Sequence, residues 1–188
     1  MSTCMIVNRN DLQEFLEADR FALGRMGKKP KMNDVIWKYE ILLRKCEYYG
    51  NSKGLLSKFL GAFYRYKKFK LGLLTGFAIP PNTVGKGLCI AHTGPIIINS
   101  KAKIGDFCKI HVGVNIGADA RNGDKVPVIG NHVYIAPGAK IFGKVVIGDY
   151  VAIGANAVVN KSFPMSNVTI AGVPAKIIND KGVKDIIE

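Results

Sequence analysis

No run of about 18 apolar residues occurs in the 188-residue chain, so no membrane-spanning helix is expected. The opening MSTCMIVNRNDLQEF reaches Asp11 and Glu14 too early for the apolar core of a secretory signal, which makes the cytoplasm the expected location. Cysteine is scarce. Cys4, Cys46, Cys89 and Cys108 show neither C-x-x-C spacing nor grouping with histidine, so they read as reduced thiols rather than zinc ligands. Acidic residues are few as well: 14 Asp and Glu stand against 27 Lys and Arg, a formal charge of +13. The excess is larger in residues 1–75, at +8, than in residues 76–188, at +5. A positive surface attracts nucleic acid, anionic lipid or phosphorylated small molecules. No nucleic-acid-binding motif is present, so nucleic acid is not an expected partner.

Residues 1–75 carry helical patterns. Asn10 or Asp11 is the expected cap of a segment with Leu12, Phe15, Leu16 and Leu23 at helical spacing. Gly24 and Gly27-Lys28-Lys29-Pro30 break it. Asn33 is the expected cap of a second helix whose broad face holds Val35, Ile36, Tyr39, Leu42, Leu43 and Cys46; Gly50 ends it. A third helix is expected from Ser52. It mixes apolar residues with Lys58, Arg65, Lys67, Lys68 and Lys70. A basic amphipathic helix such as residues 53–70 is a candidate for peripheral contact with a membrane, and equally for packing with its lysines solvated.

Residues 76–178 change period. Every sixth residue is aliphatic from Ile98 (Ile104, Ile110, Ile116), and again from Ile129 (Ile135, Ile141, Ile147, Ile153, Val159). Val84 and Ile90 extend the ladder upstream. Four residues after each, a small or β-branched residue recurs, as at Ala102, Cys108, Val133, Ala139 and Ala157. A period of six fits neither a helix nor a hairpin sheet and marks a β-solenoid, with about three hexads to each coil. Gly105 and Asn131 are expected to take the unusual backbone angles of the corners. The ladder slips by two residues between Ile90 and Ile98. Between Ile116 and Ile129 it opens into GADARNGDKVPV, a polar excursion of the kind on which repeat proteins carry function. The coil is expected to end at residues 161–164, and 179–188 form a polar tail that frays or forms a short helix.

Four segments carry a resemblance: Ile90-Ala91-His92-Thr93-Gly94, then Ile110-His111-Val112-Gly113-Val114-Asn115-Ile116-Gly117, then Ile153-Gly154-Ala155-Asn156-Ala157-Val158-Val159, and Ala171-Gly172-Val173-Pro174-Ala175-Lys176. In that order they resemble the serine acetyltransferase group of hexapeptide acyltransferases, over about 100 residues. The resemblance implies a mainly β fold, a left-handed parallel β-helix behind an N-terminal helical region shorter than the family's. It implies a homotrimer with acetyl-CoA as cosubstrate between neighbouring coils, no metal, and His92 as general base. By position, Gly117 and Ala118 fall where the family meets the thioester arm. Pro137 and Ala155 fall along the pantetheine groove, and Lys176 near the nucleotide end. Coenzyme A is also an anion suited to a basic chain.

The chemistry is coherent apart from the family. A hydroxyl is a poor nucleophile at neutral pH and needs a base whose pKa lies near 7. Attack on a thioester builds an oxyanion that backbone N–H groups stabilise. Three histidines are available: His92, His111 and His132. The hexads of Ile90 and Ile110 should stack on successive coils, which brings His111 near His92 as a second candidate. His132 reads as a solvated surface residue.

The acceptor positions depart from the family pattern. The aspartate that precedes the family's catalytic histidine is here Ala91, and a second one, fifteen residues before it, is Phe77. The Arg-His pair that grips an amino-acid carboxylate corresponds to Lys125-Val126. A zwitterion needs paired charges, so these changes point to a sugar hydroxyl of surface polysaccharide biosynthesis, on a nucleotide- or lipid-linked acceptor. Serine O-acetylation for cysteine biosynthesis is the alternative. With Phe77, Ala91, Asp119, Asp124 and Lys125 as the acceptor pocket, His92 needs another orienting group, a backbone carbonyl or a carboxylate such as Asp119 or Asp124. Two remote alternatives are a non-catalytic scaffold and a zinc carbonic anhydrase-like trimer; the latter places two ligands five residues apart, whereas the histidines here are 19 and 21 apart.

Overall fold

The Asn8 side chain accepts the Asp11 N–H at 3.0 Å, and the Asp11 carboxylate accepts the Asn8 N–H at 3.1 Å. This reciprocal box starts helix α1 (Arg9–Ala22). It corrects the expected cap at Asn10 or Asp11, since Asn8 is the cap and Asp11 is the third residue of the helix. In the computed structural model, which describes residues 5–184, two further helices follow: α2 (Val35–Asn51) and α3 (Leu55–Thr75). Asp34, not Asn33, caps α2 by accepting the Trp37 N–H at 3.2 Å. Ser52 closes α2, its N–H donating to the Tyr48 carbonyl, and α3 begins after Gly54 without a side-chain cap.

Short strands then succeed one another: β1 (Phe77–Ala78), β2 (Cys89–Ile90), β3 (Ile96–Ile98), β4 (Lys103–Ile104), β5 (Lys109–Ile110), β6 (Asn115–Gly117), β7 (Val128–Ile129), β8 (Tyr134–Ile135), β9 (Lys140–Phe142), β10 (Val146–Ile147), β11 (Ala152–Ile153), β12 (Val158–Val159), β13 (Thr169–Gly172) and β14 (Ala175–Asn179). They form three sheets: β1-β3-β6-β9-β12, β4-β7-β10 and β2-β5-β8-β11-β13-β14. All pairs are parallel except β13 with β14.

Registers measure the coil directly. Ile135 lies on Ile153, and Ile141 on Val159, eighteen residues ahead. Where the ladder slips, Ile90 lies on Ile110, twenty ahead; across the excursion Ile110 lies on Ile135, twenty-five ahead. The insertions therefore leave the coil as bulges and do not shift the inward column. Ile110, Ile116, Ile135, Ile141, Ile147, Ile153 and Val159 are wholly buried, as is Cys108, whose thiol burial pushes up to about 12. Cys46 and Cys89 are free thiols as well; Cys4 lies outside the described residues. The coil does not stop at residues 161–164. Phe163 still bridges Ile147, and β13 adds one more parallel rung.

The corner at Gly105 differs from expectation. Phe107, His132 and Tyr150 take the left-handed angles there, with φ of 54°, 54° and 58°. Gly105 is required for close approach instead: a Cβ would meet Asn131 Oδ1 at 2.5 Å and the Gly130 carbonyl at 2.6 Å. The Asn131 side chain accepts the Asp106 N–H at 2.9 Å, tying adjacent coils together.

The first coil has no coil above it, so its edge N–H and C=O groups need partners. The helices supply them with buried charge. Arg44 donates to Asp19 at 2.7 Å, to Glu47 at 3.0 Å and to the Val84 and Gly85 carbonyls at 2.9 and 2.6 Å. In turn Asp19 accepts the Leu88 N–H, Glu47 the Asn82 N–H and Glu40 the Ile90 N–H, at 2.9, 2.8 and 3.2 Å. Burial alone would pull the Arg44 pKa down, but Asp19 and Glu47 hold it above its ordinary value. Burial, reinforced by Asp19, raises the Glu40 carboxyl well above the usual carboxylate range, and its Oε2 has no hydrogen-bond partner among the described residues.

Candidate active site

The solenoid turns from the six-stranded sheet to the five-stranded sheet at one repeated corner. The chain passes it after β2, β5, β8 and β11, as His92-Thr93-Gly94, His111-Val112-Gly113, Ala136-Pro137-Gly138 and Gly154-Ala155-Asn156. Backbone bonds lock the levels together: Gly113 N–H to Pro95 at 2.7 Å, Gly138 N–H to Val112 at 2.9 Å, and Asn156 N–H to Pro137 at 2.9 Å. The register therefore levels Ala91, His111, Ala136 and Gly154 in one row and Val112, Pro137 and Ala155 in the next, with His92 in the two-residue slip that begins the corner. The stacking of the Ile90 and Ile110 hexads expected from the sequence is observed, and it sets His111 beside His92.

The two histidines stand with ring centroids 6.0 Å apart, and His111 sets its ring against Tyr134 at 5.0 Å. His92 is exposed. His111 is half-buried, and its Nε2 has no hydrogen-bond partner among the described residues. Burial pulls its pKa below that of a free imidazole, with Lys109 and His92 acting in the same direction. Tyr134 escaped the sequence reading. It becomes visible once the hexads are aligned, because it lies on Lys109 in the next coil.

Gly117 ends β6 at the opposite end of the five-stranded face, in register with Phe142. Ala118 begins the excursion, which bonds largely to itself: Asp119 N–H to Lys125, Asn122 N–H to Asp119 and Lys125 N–H to Asn122, at 2.9 to 3.1 Å. The Asp119 carboxylate accepts the Arg121 N–H at 2.8 Å. Asp124 pairs with Lys101, which holds its carboxyl below the usual range. Among the described residues, no hydrogen bond or ion pair joins Asp119, Asp124 or Lys125 to His92. The structure offers neither carboxylate as the orienting group within one chain.

Phe77 does not face an acceptor. It points into the coil, 4% exposed, with its ring edge-on to Tyr39 at 5.0 Å, while Ala78 beside it faces outward. Inward direction follows from its register with buried Ile96 on β3. Ala91 is half-buried, its N–H donating to the Ile110 carbonyl at 3.1 Å, and brings no functional group. His132 is not a free surface ring. It is stacked between Phe107 and Tyr150, at 5.2 and 4.7 Å. Lys176 lies exposed on β14, at the far end of the six-stranded sheet from β2. Five strand spacings of roughly 4.8 Å put about 24 Å between them, room for an extended ligand. Among the described residues, no three His, Cys, Asp or Glu side chains gather as ligands for a metal ion.

Residues 127–161 match the family model "Bacterial transferase hexapeptide (six repeats)". Serine acetyltransferase from Synechococcus elongatus is 38% identical over 114 residues, covering 60% of this chain and 46% of that protein. The chain spans about half the length of the curated relatives it matches, 46% and 52% for two of them. The crystal structure of serine acetyltransferase from Brucella abortus strain S19 superposes with a TM-score of 0.72 at 30% identity, covering 93% of this chain and 71% of that one. A structure of the Brucella abortus enzyme in complex with coenzyme A gives a TM-score of 0.72 at 27% identity, covering 93% of this chain and 70% of that one.

Proposed function

The chain belongs to the serine acetyltransferase-like group of hexapeptide-repeat acyltransferases, with their left-handed parallel β-helix, and we propose that it transfers acetyl from acetyl-CoA to a hydroxyl with His92 as general base. The observation that carries this reading is the repeated corner: exposed His92 with the His111 ring 6.0 Å away at its upper end, and exposed Pro137 and Ala155 stacked in one row below. Small residues leave a wall along which a pantetheine arm fits, and Lys176 suits the phosphates at the far end. Coenzyme A in the Brucella abortus complex supports the cosubstrate. His92 would take the hydroxyl proton as oxygen attacks the thioester carbonyl, and the thiolate would leave with that proton. Backbone N–H groups at Gly117 and Ala118 of a neighbouring copy would face the developing oxyanion. The groove then lies between copies in a homotrimer.

For the acceptor, the relatives favour L-serine over the sugar hydroxyl that the sequence suggests, and serine is the proposed substrate. One observation favours the sugar: Phe77 and Ala91 leave the His92 corner without a carboxylate to bind a serine ammonium. Thiol release from acetyl-CoA by the purified protein, with L-serine or nucleotide sugars as acceptor, tests both. Serine-dependent release lost in His92→Ala is the expected result. Release with a sugar alone transfers the function to the second reading, and no release with any hydroxyl refutes both.

A further inference from the structure

Helix α3 turns its apolar residues the wrong way for a globular protein. Gly61, Gly72 and Thr75 face inward, while Leu55, Phe59, Leu73 and Leu74 are 69–85% exposed. At about 100° per residue, Leu55, Phe59, Tyr66 and Leu73 share one line, and Phe63, Leu56 and Leu74 lie on its flank. Basic residues frame this stripe: Lys58 and Arg65 on one margin, Lys67 on the other, and Lys70 within it. The 21 residues of α3 carry five Lys and Arg and no Asp or Glu. The Lys67 ammonium lies 5.0 Å from the Phe63 ring, its stem along the stripe. Beside the Arg65 margin a groove of about 630 Å³, lined by Phe69, Leu73, Pro80 and Ile97, continues the apolar surface toward the coil.

We propose that α3 lies flat on an anionic lipid bilayer, its stripe in the acyl boundary and its cations among the headgroups. Among the described residues no helix is long and apolar enough to cross a membrane, so the proposal is that α3 lies on the surface and does not span. Charge decides against the α3 of a second copy as the occupant. A two-fold pairing would set Lys58, Arg65, Lys67 and Lys70 against the same residues of the other copy, with no acid on the helix to relieve them. Because α3 packs on β1 in the first coil, docking sets the His92 end toward the bilayer, not the Lys176 end.

Flotation of the full-length protein with vesicles of phosphatidylcholine, with or without phosphatidylglycerol, tests this without reference to turnover. The protein should float with the anionic vesicles at low salt, less at high salt, and not with neutral ones. Phe59→Asp with Leu73→Asp, both at exposed positions, should abolish flotation with the circular dichroism unchanged. Lys67→Gln with Lys70→Gln should weaken vesicle affinity by about 25-fold, about fivefold for each cation near the surface. Absence of flotation, or flotation indifferent to both double variants, overturns the proposal. So does a molar mass that falls in the Phe59→Asp, Leu73→Asp protein when the wild type does not float, since the stripe would then join copies of the chain.

Discussion

Replacing Arg44 by Met removes the central cation of the buried network at the first coil while keeping an apolar stem of similar length. Arg44 is wholly buried and engages Asp19 through two nitrogens, at 2.7 and 3.2 Å, Glu47 at 3.0 Å and two coil-edge carbonyls. Its loss leaves Asp19 and Glu47 as buried carboxylates without their counter-ion. Breaking one side of a buried ion pair costs about 3–5 kcal/mol. Each orphaned carbonyl adds about 1–3 kcal/mol. These costs overlap, because water entering the site relieves both, so the expected loss is about 4 kcal/mol. Removing all three charges together, with Asp19→Asn and Glu47→Gln added, should recover about half, since Asn and Gln still accept the Leu88 and Asn82 N–H groups. Urea unfolding, followed through the fluorescence of the single tryptophan, Trp37, buried in α2, gives both numbers at a fixed protein concentration. A loss under about 1 kcal/mol for Arg44→Met, or a triple variant no better than the single, would refute the view that this network secures the coil end.

His92→Ala should lower turnover by about 100-fold or more while leaving assembly intact by light scattering. Survival of turnover there, with its loss in His111→Ala, would give the base role to His111. Ile141→Val should cost about 1 kcal/mol in urea titration, whereas Ile141→Asp buries an unpaired charge in the column and should yield no soluble folded protein. Glu40 has a carboxyl pKa raised by burial. Its contribution is therefore full below the ordinary carboxylate pKa and declines as pH rises toward the folded value, because only the unfolded chain ionises freely. Glu40→Gln should thus gain stability relative to wild type between pH 5 and 7; a constant difference across that window would mean Glu40 is already ionised.

The solenoid was readable because its geometry acts directly on spacing. One inward residue per hexad must be large, so Ile129 to Val159 announce the coil, and even the insertions keep phase. The helices were less readable. Sequence gave α2 a broad apolar face, yet the structure buries Glu40, Arg44 and Glu47 on it beside Tyr39 and Leu43. Nothing in a 3.6-residue period reveals that a neighbouring sheet edge requires donors and acceptors. The misplaced caps have a smaller cause, since Asn8, Asn10 and Asp11 are all good capping residues and only the reciprocal bond selects among them. Phe77 failed for a different reason. Counting from His92 finds the position but not the side of the strand, and one residue of offset exchanges inside for outside.

That edge requirement also bears on the acceptor. Aspartate and glutamate are scarce, and those of the described residues are largely taken up by structure. Asp11 and Asp34 cap helices, Asp19 and Glu47 hold Arg44, and Glu40 caps Ile90. Asp106 and Asp149 bind corner N–H groups, and Asp124 holds Lys101. Asp119 bonds within its own loop. None of these carboxylates touches the His92 ring, so among the described residues of one chain that ring has no acidic partner to orient it or to receive an ammonium group. If serine is the acceptor, its amino group must be met from a neighbouring copy, and the excursion carrying Asp119 is the element exposed to do so. Asp119→Asn should then raise the serine KM by about tenfold with kcat little changed, the loss of one charge-assisted hydrogen bond. An unchanged KM would rule out Asp119 as the group that meets the ammonium and would favour an uncharged hydroxyl acceptor at this corner.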